Sequence, residues 1–114
     1  MAVSEEFLQY VRDQLRGVGE VDTRRMFGGA GIYLGERFFA LVDNDELFFK
    51  VSAATRPHYE SAGSHAFEPW EGHVMNGYWS VPAEVLDSAT ELAQWAQGAL
   101  SAATTKPGKK KRNA

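Results

Sequence analysis

The segment that decides the fold is RRMFGGAGIY, Arg24 to Tyr33, followed directly by LGERFFALVDNDELFFKV, residues 34–51. It holds three apolar stretches, GAGIYL, RFFALVD and ELFFKV. The dipeptides between them, Gly35-Glu36 and Asn44-Asp45, are typical of two-residue hairpin turns. We therefore predict an antiparallel meander of three strands that starts in this segment.

The glycines of GGAG, Gly28 to Gly31, invite comparison with phosphate-binding loops. Such loops stand between a strand and a helix N-terminus, so that backbone amides face the phosphate. Here a strand follows the glycines, and neither a Walker lysine nor the second half of a dinucleotide fingerprint is present. We therefore predict that the glycines admit a bulge or the close approach of a helix.

The register of the meander assigns side chains to its two faces. Two-residue turns pair Val42 with Leu47 and Ala40 with Phe49, and alternation then separates an apolar face from a mixed one. The predicted core face carries Phe38, Ala40, Val42, Leu47, Phe49 and Val51, with Phe27, Gly29, Gly31 and Tyr33 from the first strand. A bulge beside the glycines would change the assignment of the first strand.

The opposite, open face is mixed but too apolar to be covered by water alone. It combines apolar residues with Asp43, Glu46 and Lys50. Contiguous exposed apolar patches usually mark interaction sites, so we predict that a second copy of the chain or another protein covers this face. The predicted partner-binding residues are Ile32, Leu34, Phe39, Leu41, Phe48 and Lys50.

Helical and strand patterns flank the meander. Apolar steps of three and four predict a first helix from Ser4, as its cap, to Arg16. Thr55 is predicted to cap a short helix, TRPHYESA, and HAFEPW and GYWSV to form two strands. The capping box Ser88-Ala-Thr-Glu91 predicts a last helix that ends near Ala102. The element order is α-β-β-β-α-β-β-α, an α+β domain with an antiparallel sheet.

Charge is divided between the body of the chain and its C-terminus. Five of the 12 basic residues lie after Thr105, so the body sets seven basic residues against 15 acidic ones, a net charge of −8. We predict one domain over residues 1–103 and a disordered basic tail over residues 104–114. The acidic body repels phosphate, whereas the tail attracts it, which allows weak, non-specific nucleic-acid contact through Lys109, Lys110, Lys111 and Arg112.

Other basic and aromatic residues have two interpretations each. Arg24 and Arg25 can bind a phosphate, but we favour pairing with a nearby acid such as Glu20 or Asp22. Bases can stack on aromatic rings, but we favour core packing for this group because the body is acidic. The group consists of Trp70, Tyr78, Trp79 and Trp95.

No residue pattern specifies a reaction. The absence of cysteine excludes disulfides, thiolate zinc sites and cysteine nucleophiles. The histidines His58, His65 and His73 follow no metal-binding spacing, so we predict no catalytic, cofactor-binding or metal-binding residues. An enzyme that uses the His65 to His73 region is the least favoured alternative. With no signal peptide and no apolar run of roughly 18 residues, we expect a cytoplasmic protein without membrane attachment.

Three segments together resemble the TfoX N-terminal domain family, also called the TfoX/Sxy family of bacterial competence regulators. They are RMFGGAGIY, TRP-x-Y-x-x-A-G and GYW-x-VP-x-E-V-L, and the resemblance spans about residues 5–101. It implies a two-layer α+β fold and a non-enzymatic role in transcription regulation through protein partners. Members of the family also carry a helix-hairpin-helix-like C-terminal domain, whereas we expect this chain to be a stand-alone N-terminal domain. A nucleic-acid-binding accessory protein, working through Arg24, Arg25 and the tail, is the alternative.

Overall fold

One face of a six-stranded antiparallel sheet is covered by helices in the computed structural model, which describes residues 4–26 and 29–103. The helices of these residues are α1 Glu5–Gln14, α2 Arg56–Ser61, α3 Ala83–Leu86 and α4 Ala89–Ala102. The strands are β1 Asp22–Met26, β2 Gly29–Leu34, β3 Arg37–Asp43, β4 Glu46–Lys50, β5 Ala66–Trp70 and β6 His73–Ser80. The sheet order is β1-β2-β3-β4-β6-β5. The predicted α+β class is confirmed, and β1 and α3 are additions to the predicted element order.

The two long helices begin as the sequence predicts. The Ser4 hydroxyl accepts a hydrogen bond from the Phe7 amide at 3.1 Å, and the Ser88 hydroxyl accepts one from the Glu91 amide at 3.3 Å. These bonds satisfy amides that the first helical turn leaves without partners. Helix α1 then tightens into a 3-10 turn over Leu15–Gly17. Both helices turn an apolar stripe onto the sheet.

Helix α2 starts at the predicted residue but by a different mechanism. Thr55 occupies the N-cap position without a capping hydrogen bond, because its hydroxyl accepts a hydrogen bond from the Ser52 amide at 2.9 Å. The Ser52 hydroxyl in turn accepts a hydrogen bond from the Ala54 amide at 3.2 Å. The predicted Thr55 cap is therefore wrong, and a turn formed by the Ser52 side chain precedes the helix instead.

The predicted hairpin register between β3 and β4 is confirmed. Asn44 and Asp45 have φ values of 53° and 55°, the paired left-handed conformation of a type I′ turn. Val42 accordingly faces Leu47, and Ala40 faces Phe49. Each of these pairs lies in the main core, between the sheet and the helices.

A β-bulge at Phe39 overturns part of the predicted face assignment. Tyr33 pairs with Phe38 but Ile32 pairs with Ala40, so Phe39 is an extra residue in β3. The side chains of Phe39 and Ala40 are both fully buried in the core beneath the helices. Phe38 is therefore displaced to the opposite face, and its predicted place in the core is wrong.

The same bulge reverses the faces of β2. Beyond the bulge the pairing is shifted by one residue, and a shift of one residue moves every side chain to the other face. Ala30 and Ile32 are buried in the main core, whereas Gly31 and Tyr33 belong to the other face. The predicted core positions of Gly31 and Tyr33 are wrong for this reason.

Phe27, also predicted to face the core, lies outside the described residues, as does the tail from residue 104 onward.

Gly29 shows what one of the glycines provides. A Cβ atom at this position would stand 2.1 Å from the carbonyl oxygen of Val42, a separation that two non-bonded atoms cannot adopt. Strands β2 and β3 therefore meet at a place where only glycine fits. The predicted close approach of a helix is wrong at Gly29, because the backbone of β3 approaches it instead. The strand predicted to follow the glycines is confirmed.

Candidate functional site on the outer face

The face of the sheet that is turned away from the helices, called the outer face here, has a small core of its own. Its buried residues are Leu41, Phe48, Phe67 and Tyr78. The rings of Phe48 on β4 and Phe67 on β5 have centroids 4.9 Å apart, although β6 separates these strands. Strands two places apart in a flat sheet are separated by about 10 Å. The side chains of Phe48 and Phe67 therefore reach toward each other across β6.

A row of aromatic rings with a cation at each end crosses the outer face. Tyr33 stacks on Phe38 with ring centroids 4.9 Å apart, and Phe38 contacts Tyr78 at 5.6 Å. The Arg24 guanidinium lies 4.6 Å from the Tyr33 centroid, and the Lys50 ammonium lies 5.0 Å from the Tyr78 centroid. At such distances the ring faces attract cations. Arg24 and Lys50 have no carboxylate within ion-pair distance in the described part of the chain.

The predicted partner-binding residues are divided by the bulge. Lys50, Leu41 and Phe48 lie on the outer face, but Leu41 and Phe48 are buried in a cluster with other side chains of the same chain. Ile32 and Phe39 are buried on the helix side, and Leu34 packs against that core. The placement of Ile32, Leu34 and Phe39 on the open face is therefore wrong, because it assumed pairing without a bulge.

The alternation of side chains along each strand did not predict the aromatic residues of the outer face. Phe38, Tyr33 and Tyr78 form its row of rings. Predicting Phe38 and Tyr33 there requires the position of the bulge, which depends on packing against the helices. The predicted core packing of Tyr78 is confirmed in the small core of the outer face. Trp79 and Trp95 pack against the main core beneath the helices. Trp70 is exposed, so its predicted core packing is wrong.

The two neighbouring arginines point to opposite faces of β1. Arg25 forms an ion pair with Glu5 of α1, while Arg24 lies over Tyr33 on the outer face. Pairing with a carboxylate is thus confirmed for Arg25, but the partner is neither Glu20 nor Asp22 because the side chain faces the helix layer. Of these two arginines, only Arg24 remains available to a ligand on the outer face.

His65 borders the outer face beside a carboxylate. Its Nε2 lies 2.8 Å from Glu46 Oε2, and its Nδ1 lies 3.2 Å from the Ala66 carbonyl oxygen. Partial burial lowers the pKa of His65, but the hydrogen bond to Glu46, the Glu46 charge and the Ala66 carbonyl outweigh it and raise the pKa above 6.5. Both neighbours accept hydrogen bonds, and only the imidazolium can donate to two acceptors.

We expect the substitution Glu46→Gln to lower the pKa of His65, measured by NMR titration of its ring carbons. Because the folded-state pKa is raised, the pair stabilises the protein at pH values below about 6.5, and this contribution disappears as pH rises through the folded-state pKa. The stability difference stays below about 1 kcal/mol because the pair is exposed. Glu84→Gln on α3 is the control. An unchanged His65 titration in the Glu46→Gln variant would contradict the assignment.

The hairpin of β5 and β6 extends beyond the rest of the sheet. Strand β4 pairs with β6 only at Ser80, Trp79 and Tyr78, so β6 from His73 to Asn76 has no partner on that side. Near its turn Trp70 stacks on His73 with ring centroids 4.5 Å apart, and the side chains of Trp70 and Val74 are 60% and 50% exposed. We call the part of this hairpin that extends beyond β4, residues 68–76, the overhanging hairpin.

Within residues 4–26 and 29–103, no three histidine, aspartate or glutamate side chains are grouped as metal ligands would be. None of the described helices has the length and apolar character required to cross a membrane.

The fold and the site define a small α+β domain with one helix-covered face and one outer face that carries an aromatic cluster. Comparison with known families identifies it further, because the model of the TfoX N-terminal domain matches residues 13–103. The chain belongs to the TfoX N-terminal domain family, as its resemblance predicted. No curated protein matches it.

Proposed function

We propose that this domain binds a protein partner in the cytoplasm, without an enzymatic step, and so takes part in the regulation of transcription. The role in transcription rests on the family resemblance. The overhanging hairpin carries the proposal of a partner, because it holds two large apolar side chains outside both cores.

The exposure of Trp70 and Val74 is the decisive observation. Apolar surface in water costs about 25 cal/mol per Å², and tryptophan is enriched among the residues that contribute most to binding at protein interfaces. Trp70 is also held in place, since it stacks on His73 and Glu68 accepts a hydrogen bond from the Gly72 amide at 2.8 Å. A side chain that is already ordered loses little entropy on binding.

The charge of the surroundings indicates the chemistry of the partner. Glu68 and Glu71 flank the exposed tryptophan, and the body of the chain has a net charge of −8. Complementary charge accelerates association and disfavours partners of the same sign. We therefore propose that the partner presents an apolar pocket within a basic surface.

The test is affinity capture from the native cell with three immobilised proteins, each checked for folding by circular dichroism. We expect the wild type and Gln97→Ala, a control on the exposed side of α4, to retain the same protein after nuclease treatment. The double variant Trp70→Ala, Val74→Ser is expected to bind the purified partner at least about tenfold more weakly. Equal binding of all three proteins would overturn the proposal.

The second candidate function, nucleic-acid binding, is supported by Arg24 and Lys50. Both cations lie over tyrosine rings of one face, an arrangement compatible with phosphate neutralisation and base stacking. Arg25 contributes less than the sequence alone indicates, because Glu5 neutralises it. Loss of every captured protein after nuclease treatment in the same experiment would favour this candidate.

A further inference from the structure

A cavity of about 320 Å³ opens between α2 and α4, on the helix layer and away from the outer face. It has the size of cavities that bind small molecules. Its lining residues are Thr55, His58, Tyr59, Gln94, Trp95 and Gly98. Neither the overhanging hairpin nor the row of aromatic rings contributes to it.

The walls of the cavity are held at fixed positions. Tyr59 and Trp95 meet edge to face with ring centroids 4.7 Å apart, which joins the two helices through an aromatic contact. At Gly98 a Cβ atom would lie 3.1 Å from Thr55 Cγ2, so the helices already approach closely at that point. Two aromatic side chains and one close helix contact therefore shape the cavity.

Tyr59 brings a hydroxyl group to the lining of the cavity. The residue is only 3% exposed, and no hydrogen bond joins its hydroxyl to any residue in the ranges 4–26 and 29–103. Tyr59 is itself one of the residues that line the cavity. Burial raises the pKa of Tyr59, which keeps the hydroxyl protonated and able to donate.

Apart from His58, the other polar side chains of the lining carry no charge. Gln94 offers an amide donor and an amide acceptor side by side, and no described residue hydrogen-bonds to its side chain. No aspartate, glutamate, lysine or arginine is among the lining residues. A charged ligand would find no counter-charge here, whereas a neutral ligand with a polar edge would find partners.

We propose that this cavity binds a neutral, planar heteroaromatic ring that carries a hydrogen-bond donor beside an acceptor, the chemical class to which nucleobases belong. The ring packs against Trp95 and Tyr59, whose faces and edges favour aromatic neighbours. The Gln94 amide pairs with the donor and acceptor of the ring, as glutamine amides pair with adenine. The Tyr59 hydroxyl supplies a third hydrogen bond.

Adenine is the probe, and indole, a ring of similar size without an acceptor nitrogen, is the matched comparison. We expect adenine to shift the amide NMR signals of the lining residues saturably, with a dissociation constant on the order of 1 mM or tighter. Gln94→Ala should weaken binding by about three- to tenfold, the effect of losing one or two hydrogen bonds. Gln97→Ala, three residues along the same helix and outside the cavity lining, should leave it unchanged.

Three results would overturn the proposal. The first is that adenine causes no saturable shift of the NMR signals of the lining residues. The second is that indole binds as tightly as adenine. The third is that the Gln94→Ala and Gln97→Ala variants bind adenine with equal affinity. Gln94 is exposed, so its loss does not threaten folding and the comparison remains valid. The outcome is independent of partner binding by the overhanging hairpin, which lies on other elements.

Discussion

Replacing Phe39 with alanine is expected to lower the free energy of unfolding by about 3–5 kcal/mol, the range for a fully buried phenylalanine. Phe39 is 0% exposed and packs against Phe49, with ring centroids 5.9 Å apart. Its burial follows from the bulge, because regular alternation would place it on the outer face. Urea denaturation followed by circular dichroism measures the change.

Phe38→Ala is the matched comparison, since it removes the same side chain from the neighbouring position. Phe38 is half-buried and contacts Tyr33 and Tyr78 on the outer face, so we expect a loss of about 1–2 kcal/mol. The bulge is contradicted if Phe38→Ala destabilises the protein more than Phe39→Ala does, because strict alternation buries Phe38 and exposes Phe39.

Gly29→Ala is the second substitution with a large expected effect, a loss of about 2–3 kcal/mol. The new methyl group would overlap the Val42 carbonyl, which is backbone and can move only if β2 separates from β3. Thermal and urea unfolding both measure the loss. Because the expected effect is a steric loss of stability, unfolding measurements detect it without a ligand.

Gly17→Ala provides the control for this experiment. A Cβ atom at Gly17 would have no neighbour within 4 Å, and its backbone is not in the left-handed region. Alanine there should leave stability unchanged or raise it by about 0.5 kcal/mol, because it restricts the unfolded chain. Equal effects at the two positions would show that the close approach at Gly29 does not constrain the fold.

Local features of the fold could be predicted because they depend on neighbouring residues. Ser4 and Ser88 cap their helices through bonds that span three residues, and Asn44-Asp45 specifies its own turn and the register beside it. The prediction failed at Thr55, where another local bond, to the Ser52 amide, competes for the same hydroxyl. Such competition between short-range bonds is difficult to rank from sequence.

The candidate sites were less predictable than the fold. The outer face was predicted as an apolar surface that a partner covers, but the residues that cover its centre are Phe67 and Tyr78 of the same chain. At the cavity between α2 and α4, the rings of Tyr59 and Trp95 are in contact although these residues are far apart in sequence. No local pattern indicates which helix faces meet, since that depends on how both pack on the sheet.

The sequence by itself determined the α+β class, the meander, the helix starts and the family, because turn residues, caps and apolar periodicity act over a few residues. Only the tertiary structure decided which face each residue of β2 joins. One extra residue at Phe39 shifts the pairing, and the side-chain period of two converts this shift into an exchange of faces. The bulge is stable because the helices bury Phe39 and Ala40 together, an interaction between elements distant in the chain.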